Sequence, residues 1–326
     1  MQRISLSRRT MLLGTAALAG AALPSLAQAQ AAYPTRPVRL VVPFGPGSSP
    51  DVIARLLGER LSRAMGQPVV IENRAGASTS IGAQAVATAR PDGYTLLYAV
   101  NNTLSINPFI YSNLSYKPED LVPVIRVLSV PYVLLVPGNS PIKTLAELIE
   151  AAKARPGVMT YGSYGIGQGT HVALARLLNE AGITMTHVPY RDGVLNDLVA
   201  GRIDLLFDPT TTAIPQIEVG AVRALAVSGP RRVDALPQVP TVAETLPGFV
   251  GDSWHGVLTP RGTPAEVVDK IATLSDGIIQ SDEFRAKLRE LGLVPAGGTP
   301  ADFRDFLVED AKIWGKVVKE NNIRVE

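Results

Sequence analysis

The 326-residue chain contains no cysteine, which excludes disulfide bonds, thiolate nucleophiles, thiolate metal sites and a lipid-modified cysteine anchor. Histidine is nearly as scarce. Its three copies, His171, His187 and His255, show none of the short spacings that metal-binding histidines have. We therefore expect no metal ion in this protein.

An excess of charge of either sign is also missing. The formal net charge is +2, and three of the 31 basic residues (Arg3, Arg8 and Arg9) lie in an N-terminal segment with the pattern of an export signal. Without those three, 28 basic residues face 29 acidic residues, which gives a net charge of −1. Proteins that bind nucleic acids or membrane surfaces usually carry a basic excess, so we expect neither partner.

The N-terminal segment has the three parts of a secretory signal. The paired arginines in residues 7–12 resemble a twin-arginine motif, an apolar run covers 11–26, and Ala27-Gln28-Ala29 fits a small-x-small cleavage site. We interpret residues 1–29 as a signal peptide that is cleaved near Ala29, which predicts a periplasmic protein. Export by the general route and an uncleaved anchor are the alternatives, although the run is short for a membrane span. We expect no span in the mature chain.

Strand and helix signals alternate from Tyr33 onward, which predicts an α/β fold with parallel strands. A long apolar segment at 121–136, broken by two prolines, is interpreted as a strand that leaves one lobe and enters another. The segment 253–258 is expected to cross back. The predicted units are lobe 1 (33–128 and 253–326) and lobe 2 (129–252), with a ligand cleft between them.

A loop of small residues lies between the first predicted strand, 38–42, and the helix that opens at Asp51. Backbone N–H groups and the helix dipole make such a junction a seat for an anion, and we expect Asp51 to cap the helix. The loop has no lysine and is therefore not a nucleotide-binding P-loop. The candidate binding residues here are Phe44, Gly45, Pro46, Gly47, Ser48, Ser49 and Asp51.

The same loop is a near match to a dinucleotide fingerprint, which leaves a cofactor-dependent periplasmic oxidoreductase as an alternative. Against this alternative, Pro50 stands where the third glycine belongs, and neither Pro46 nor Pro50 has an N–H group for a pyrophosphate.

A second glycine-rich loop, 162–169, has the same context, with a predicted strand before it and a helix after it. The alternative is that both loops are only tight turns. Asp208 ends a predicted strand at 203–208, where it could accept a hydrogen bond from a ligand or cap the next helix. A triad of Ser163, His171 and Asp208 lacks the G-x-S-x-G motif of a hydrolase, so we expect no enzyme. The candidates in this loop are Ser163, Gly165, Gly167, Gln168, Gly169, Thr170 and His171.

Motifs along the whole mature chain resemble the Bug-type extracytoplasmic solute-binding proteins of tripartite tricarboxylate transporters. The matching segments are 33–37, 41–47 with Asp51, 72–76, 91–97, 107–108, 161–171, 187–190, 204–208, 223–227, 239–241 and 262–264. The resemblance implies a type II periplasmic-binding-protein fold, with two βα lobes, two crossover strands and an interlobe cleft.

The resemblance also implies a function. A small organic carboxylate would be seated by the two loops, with Asp208 near its far part, and delivered to membrane permease subunits, without a cofactor. We expect a monomer. A ligand-capturing partner of a sensor kinase is the alternative. Three segments depart from the family pattern: Ser48 in place of a glycine, 77–80 in place of a glycine-rich stretch, and a shortened 190–195.

Overall fold

The computed structural model describes residues 33–325, and the predicted signal peptide with its cleavage site lies outside them. The described chain forms two β-sheets with helices packed on their faces. In chain order the strands are β1 (Val38–Val42), β2 (Val69–Asn73), β3 (Thr95–Val100), β4 (Leu121–Val130), β5 (Tyr132–Pro137), β6 (Thr160–Ser163), β7 (Thr186–Pro189), β8 (Leu205–Pro209), β9 (Val222–Val227), β10 (Ser253–Pro260) and β11 (Val294–Pro295).

Ten α-helices alternate with these strands over residues 33–325. They are α1 (Ser49–Met65), α2 (Ser80–Ala87), α3 (Asn107–Ile110), α4 (Leu145–Ala154), α5 (Gly169–Ala181), α6 (Val194–Val199), α7 (Thr210–Glu218), α8 (Ala265–Gln280), α9 (Asp282–Glu290) and α10 (Pro300–Glu320). Short 3₁₀ turns occur at Ala77–Thr79, Pro118–Asp120 and Val242–Glu244, and a π-helical turn at Asn102–Ile106. None of the helices in this described range is long and apolar enough to cross a bilayer.

The two sheets are mixed rather than wholly parallel. The six-stranded sheet has the order β11-β4-β10-β3-β1-β2, in which β1 pairs in parallel with β2 and β3, while β10 runs antiparallel to β3 and β4. The five-stranded sheet has the order β7-β6-β8-β5-β9, with β5 antiparallel to β8 and β9. The sequence correctly predicted the parallel strands, but the antiparallel direction of the crossing strands was missed.

Two crossings connect the sheets. The predicted strand at 121–136 is divided at Pro131, so that β4 belongs to the six-stranded sheet and β5 to the five-stranded sheet. The chain returns at Ser253, where β10 begins. We call the six-stranded sheet with its helices lobe 1 and the five-stranded sheet with its helices lobe 2.

Each sheet has its own hydrophobic core, and α10 contributes to both lobes. Near its start, Phe303 packs with Trp254 of β10. Near its end, Trp314 and Val317 lie in one cluster with Val172 of α5, which belongs to lobe 2. The last long helix therefore packs against both sides of the crossing.

Three helix starts illustrate how local contacts set the helix boundaries. The π-helical turn leads directly into α3, so the chain is helical from Asn102 to Ile110. The Thr263 hydroxyl donates to the Pro260 carbonyl oxygen at 2.8 Å, and Pro264 takes the N-cap position of α8. Thr144 caps α4, since its hydroxyl accepts from the N–H of Glu147 at 3.1 Å.

Candidate functional site

A cavity of about 490 Å³ lies between the lobes. Lobe 1 lines it with the β1–α1 loop, the end of β3 and the start of β10, and lobe 2 lines it with the start of β5 and the β6–α5 loop. Both glycine-rich loops found in the sequence therefore reach one cleft. No lysine or arginine of residues 33–325 lines this cavity.

The Asp51 carboxylate holds the first loop in place. The sequence predicted Asp51 as the N-cap of α1, and this prediction was wrong. Ser48 is the N-cap of α1, and Asp51 is the third residue of the helix. The Asp51 carboxylate accepts from the N–H of Gly47 at 2.9 Å, from Asn73 at 2.7 Å and from Arg55 at 2.9 Å. Burial alone would raise the pKa of Asp51, but these hydrogen bonds outweigh it and hold that pKa below its usual value.

The second loop is held from behind by two stacked imidazoles. The N–H of Gly167 donates to Nδ1 of His171 at 3.1 Å, and the Ser163 hydroxyl lies 2.7 Å from Nε2 of His187. The two rings stack with centroids 3.9 Å apart. Burial lowers the pKa of His171 to about 3, with help from His187, and that of His187 to about 4, so both rings are neutral near pH 7.

Three buried polar atoms that belong to cavity-lining residues have no hydrogen-bond partner within residues 33–325. They are Oγ of Ser49, Oγ1 of Thr170 and Nδ2 of Asn101. Ser49 and Thr170 lie in the first turns of α1 and α5, where the first backbone N–H groups also lack intrahelical partners. A buried donor without an acceptor costs about 1–3 kcal/mol. Such donors at two helix N-termini suit an anion.

Gly169 allows the two lobes to approach closely. A Cβ atom at this position would clash with the Tyr132 hydroxyl and lie 3.2 Å from Nδ2 of Asn101. Glycine is thus required at the first residue of α5, where the helix N-terminus meets the end of β3.

Asp208 lies behind the far wall of the cleft. It is fully buried and accepts hydrogen bonds from the hydroxyls of Tyr164 and Thr212, the second at 2.6 Å. Burial raises the pKa of Asp208 to about 6, against the effect of these two hydrogen bonds. Tyr164 and Thr212 line the cavity, whereas Asp208 does not. Its carboxylate therefore positions two side chains of the wall.

The predicted site residues divide into two groups by their placement. Six of them line the cavity: Phe44, Ser48, Ser49, Gln168, Gly169 and Thr170. The other nine lie outside its lining, in the loops or behind the wall: Gly45, Pro46, Gly47, Asp51, Ser163, Gly165, Gly167, His171 and Asp208.

Several lining residues were missed in the sequence, among them Asn101, Tyr132, Tyr164 and His255. A signal existed for Asn101, because it follows β3 directly and ligands bind at the carboxyl ends of such strands. Tyr164 lies within the glycine-rich loop 162–169 that the sequence marked, whereas no comparable local signal marks Tyr132 and His255. In the shortened segment 190–195, Asp192 lines the cavity.

Two α/β lobes joined by crossing strands, with a helix N-terminus from each lobe at one cleft, define a two-lobed solute-binding protein. Residues 53–323 match the family described as the tripartite tricarboxylate transporter family receptor, and the chain belongs to that family. This membership confirms the resemblance that the sequence motifs indicated.

Individual relatives agree with the family match. Protein BugT of Bordetella pertussis is 33% identical over 315 residues, which cover 95% of this chain and 96% of BugT. The R. palustris protein Rpa4515, solved with adipate, is 38% identical with a TM-score of 0.83, covering 90% of this chain and 99% of that one. MatC from Rhodopseudomonas palustris, solved with bound malate, is 30% identical with a TM-score of 0.77, covering 88% of this chain and all of that one (100%). These likenesses confirm the predicted fold.

Proposed function

We propose that this protein is a periplasmic solute-binding protein that captures a small organic carboxylate between its lobes and presents it to membrane permease subunits of a tripartite tricarboxylate-type transporter. The observation that carries the proposal is the set of three unpartnered polar atoms at the cleft, on Ser49, Asn101 and Thr170. The family membership and the two relatives solved with adipate and malate support it.

The chemistry of the cleft favours a carboxylate held by neutral groups. The side-chain amide and the two hydroxyls can each donate to a carboxylate oxygen, and the N-termini of α1 and α5 add partial positive charge. Because no cationic side chain of the described residues lines the cleft, the ligand's charge is met by dipoles and hydrogen bonds.

The remaining surface of the cleft suits the carbon chain of the ligand. Phe44, Val100, Val130 and Pro209 add apolar surface to the lining, and the cavity volume of about 490 Å³ is in the usual range for small ligands. We assign Ser49, Asn101, Gly169 and Thr170 as contacts of the carboxylate. In this proposal Asp51, Ser163 and His171 act indirectly, since they hold the two loops in place.

A thermal-shift screen of the mature chain tests the proposal. The screen covers monocarboxylates, dicarboxylates, tricarboxylates, aromatic acids and amino acids, followed by calorimetry of the acids that raise the melting temperature. We expect at least one small organic acid to bind with a Kd below 1 mM, near −4 kcal/mol or better. If no carboxylate raises the melting temperature, the proposed function is wrong.

A further inference from the structure

His255 lies at the cleft between the two lobes. It is the third residue of β10, paired with Val100 of β3 and Leu128 of β4. The residue lines the cavity together with Asn101 and is only 4% exposed. An imidazole nitrogen is an acceptor or a donor according to its tautomer, so the effect of His255 on a ligand depends on where its proton sits.

Tyr98 fixes that tautomer. Its hydroxyl lies 3.2 Å from Nδ1 of His255, and the two rings pack edge to face with centroids 5.4 Å apart. Tyr98 is fully buried in the core of lobe 1, and His255 is the hydrogen-bond partner that residues 33–325 provide for its hydroxyl. A buried hydroxyl without an acceptor is strongly disfavoured. The hydroxyl must therefore donate to Nδ1, which must be unprotonated.

The proton of the neutral ring is then on Nε2. Burial lowers the pKa of His255 to about 3, so the ring is neutral near pH 7. Nδ1 faces Tyr98 in the core, whereas the side chain borders the cavity, so the Nε2 edge is the one turned to the cleft. The cleft thus acquires a fixed donor beside Asn101.

We propose that His255 is a specificity-determining residue of the carboxylate site, whose Nε2–H donates to a ligand oxygen, and that Tyr98 is its positioning residue. This inference rests on the proposed function and deepens it. A nitrogen held as a donor favours a carboxylate or carbonyl oxygen and opposes an ammonium or amide N–H at the same place. The site should therefore select organic acids over ligands that present a nitrogen donor to His255.

Nitrogen NMR of the ligand-free mature chain, prepared without a histidine tag, tests the tautomer directly. The chain has only three histidines, and a His255→Gln variant assigns the His255 signals by their loss. We expect His255 in the wild type to be neutral with its proton on Nε2, and Tyr98→Phe to introduce the Nδ1–H tautomer. A wild-type ring protonated on Nδ1 would overturn the inference, whatever the ligand of the protein is.

Calorimetry with adipate, or with whichever acid binds best in the screen, tests the contact. We expect His255→Leu to weaken binding on the order of tenfold or more, as for one lost hydrogen bond to a charged group. His255→Gln, whose amide nitrogen can replace Nε2–H, should stay within about threefold of the wild type. Tyr98→Phe should weaken binding about twofold, in proportion to the fraction of His255 rings that then carry their proton on Nδ1 instead of Nε2.

The two proposals fail in different ways. A wild type that binds no carboxylate contradicts the proposed function. A wild type that binds, with a folded His255→Leu variant of unchanged affinity, contradicts only the role of His255. If His255→Leu does not fold, the Tyr98→Phe variant provides the test. The role of His255 is then contradicted if this variant has the affinity of the wild type and an unchanged His255 tautomer.

Discussion

At the scale of single residues, the cleft is built from neutral donors rather than cations. Ser49 lies in α1, Thr170 lies in α5 and Asn101 directly follows β3. Each contributes one buried polar atom without a partner among the described residues. Hydroxyl and amide donors at helix N-termini give modest energies that depend on geometry. Affinity at this site should therefore respond to the loss of one hydroxyl.

Replacing Thr170 or Ser49 by alanine should weaken carboxylate binding about tenfold each, because each variant removes one hydrogen bond to a charged group. Calorimetry with the acid identified in the screen measures the change. Thr186→Ala is the matched control, since that hydroxyl donates to the Gly157 carbonyl oxygen on lobe 2 and does not line the cleft. Unchanged affinity in both Thr170→Ala and Ser49→Ala would show that these hydroxyls are not ligand contacts.

A second residue-scale prediction concerns the close approach at Gly169. Gly169→Ala should reduce carboxylate affinity at least about tenfold, because the new Cβ clashes with the Tyr132 hydroxyl and shifts the N-terminus of α5. Adding Tyr132→Phe removes the clashing oxygen and should restore part of the affinity in a double-mutant cycle.

The control for Gly169→Ala is Gly277→Ala in α8, where a Cβ meets nothing within 4 Å and alanine favours the helix. It should leave binding unchanged. If the effects of Gly169→Ala and Tyr132→Phe on the binding free energy are additive, a Cβ at position 169 does not contact the Tyr132 hydroxyl as described.

At the scale of elements, each loop–helix junction depends on side chains behind it. The β1–α1 junction is held by the Asp51 carboxylate, and the β6–α5 junction by the imidazoles of His171 and His187. Near pH 7 the Asp51 carboxylate is charged, whereas the two imidazoles are neutral. The two junctions should therefore respond differently to acid.

Acid should weaken the fold through its histidines. In the unfolded chain a histidine titrates near 6.5, whereas in the folded protein burial lowers the pKa of His171 to about 3 and that of His187 to about 4. Between these values the unfolded state binds more protons than the folded state, so stability falls as the pH falls from about 6.5 towards 3.

Buried carboxylates act in the opposite direction. Burial raises the pKa of Asp208 to about 6 and that of Asp252 to about 7, so the stability that their protonation provides is lost as the pH rises through these values. The histidine effect is isolated by comparing variants. The His171→Asn variant keeps an acceptor for the N–H of Gly167. Its free energy of unfolding, measured by denaturation, should fall less between pH 7 and pH 4.5 than that of the wild type. An equal loss in both proteins would contradict this account.

At the scale of the whole molecule, the lobes are joined by hydrogen bonds beside the cleft as well as by the crossing strands. The Asn102 amide donates to the Gly167 carbonyl oxygen of lobe 2 at 2.9 Å and to the Ser78 hydroxyl of lobe 1 at 3.1 Å. Gln168 also donates to the Ser78 hydroxyl, at 3.3 Å. Ser78 belongs to the segment 77–80, which departs from the family pattern. Three successive residues of this segment that are not glycine have positive φ.

Asn102→Ala should therefore weaken carboxylate binding about three- to tenfold, because the arrangement in which both lobes border the cleft loses hydrogen bonds that link them. Calorimetry measures the affinity, and Asn321→Ala, which removes an amide bonded to the Val317 carbonyl oxygen on α10, is the control. Equal affinities of Asn102→Ala and the control would argue against a role for this link in closure.

The features that could be predicted from the sequence are those that residues close together in the chain determine. Both strand–loop–helix junctions were found because small residues between an apolar run and a helical pattern have a local signature. The positions of Tyr132 and His255 at the cleft could not be found in this way, since β5 and β10 meet the loops only through the strand order of the two sheets. Asp208 was expected to face the ligand, but the hydroxyls of Tyr164 and Thr212 cover its carboxylate, a contact that no sequence pattern marks.

In the proposed function, the cleft binds a carboxylate through neutral donors. The most direct measurement is calorimetry of the mature chain with adipate, malate and adipamide, the neutral diamide of adipate. We predict that at least one of the two acids binds with a Kd below 1 mM, about −4 kcal/mol or better, and that adipamide shows no measurable binding. Equal binding of adipate and adipamide, or no binding of either acid, would contradict the account.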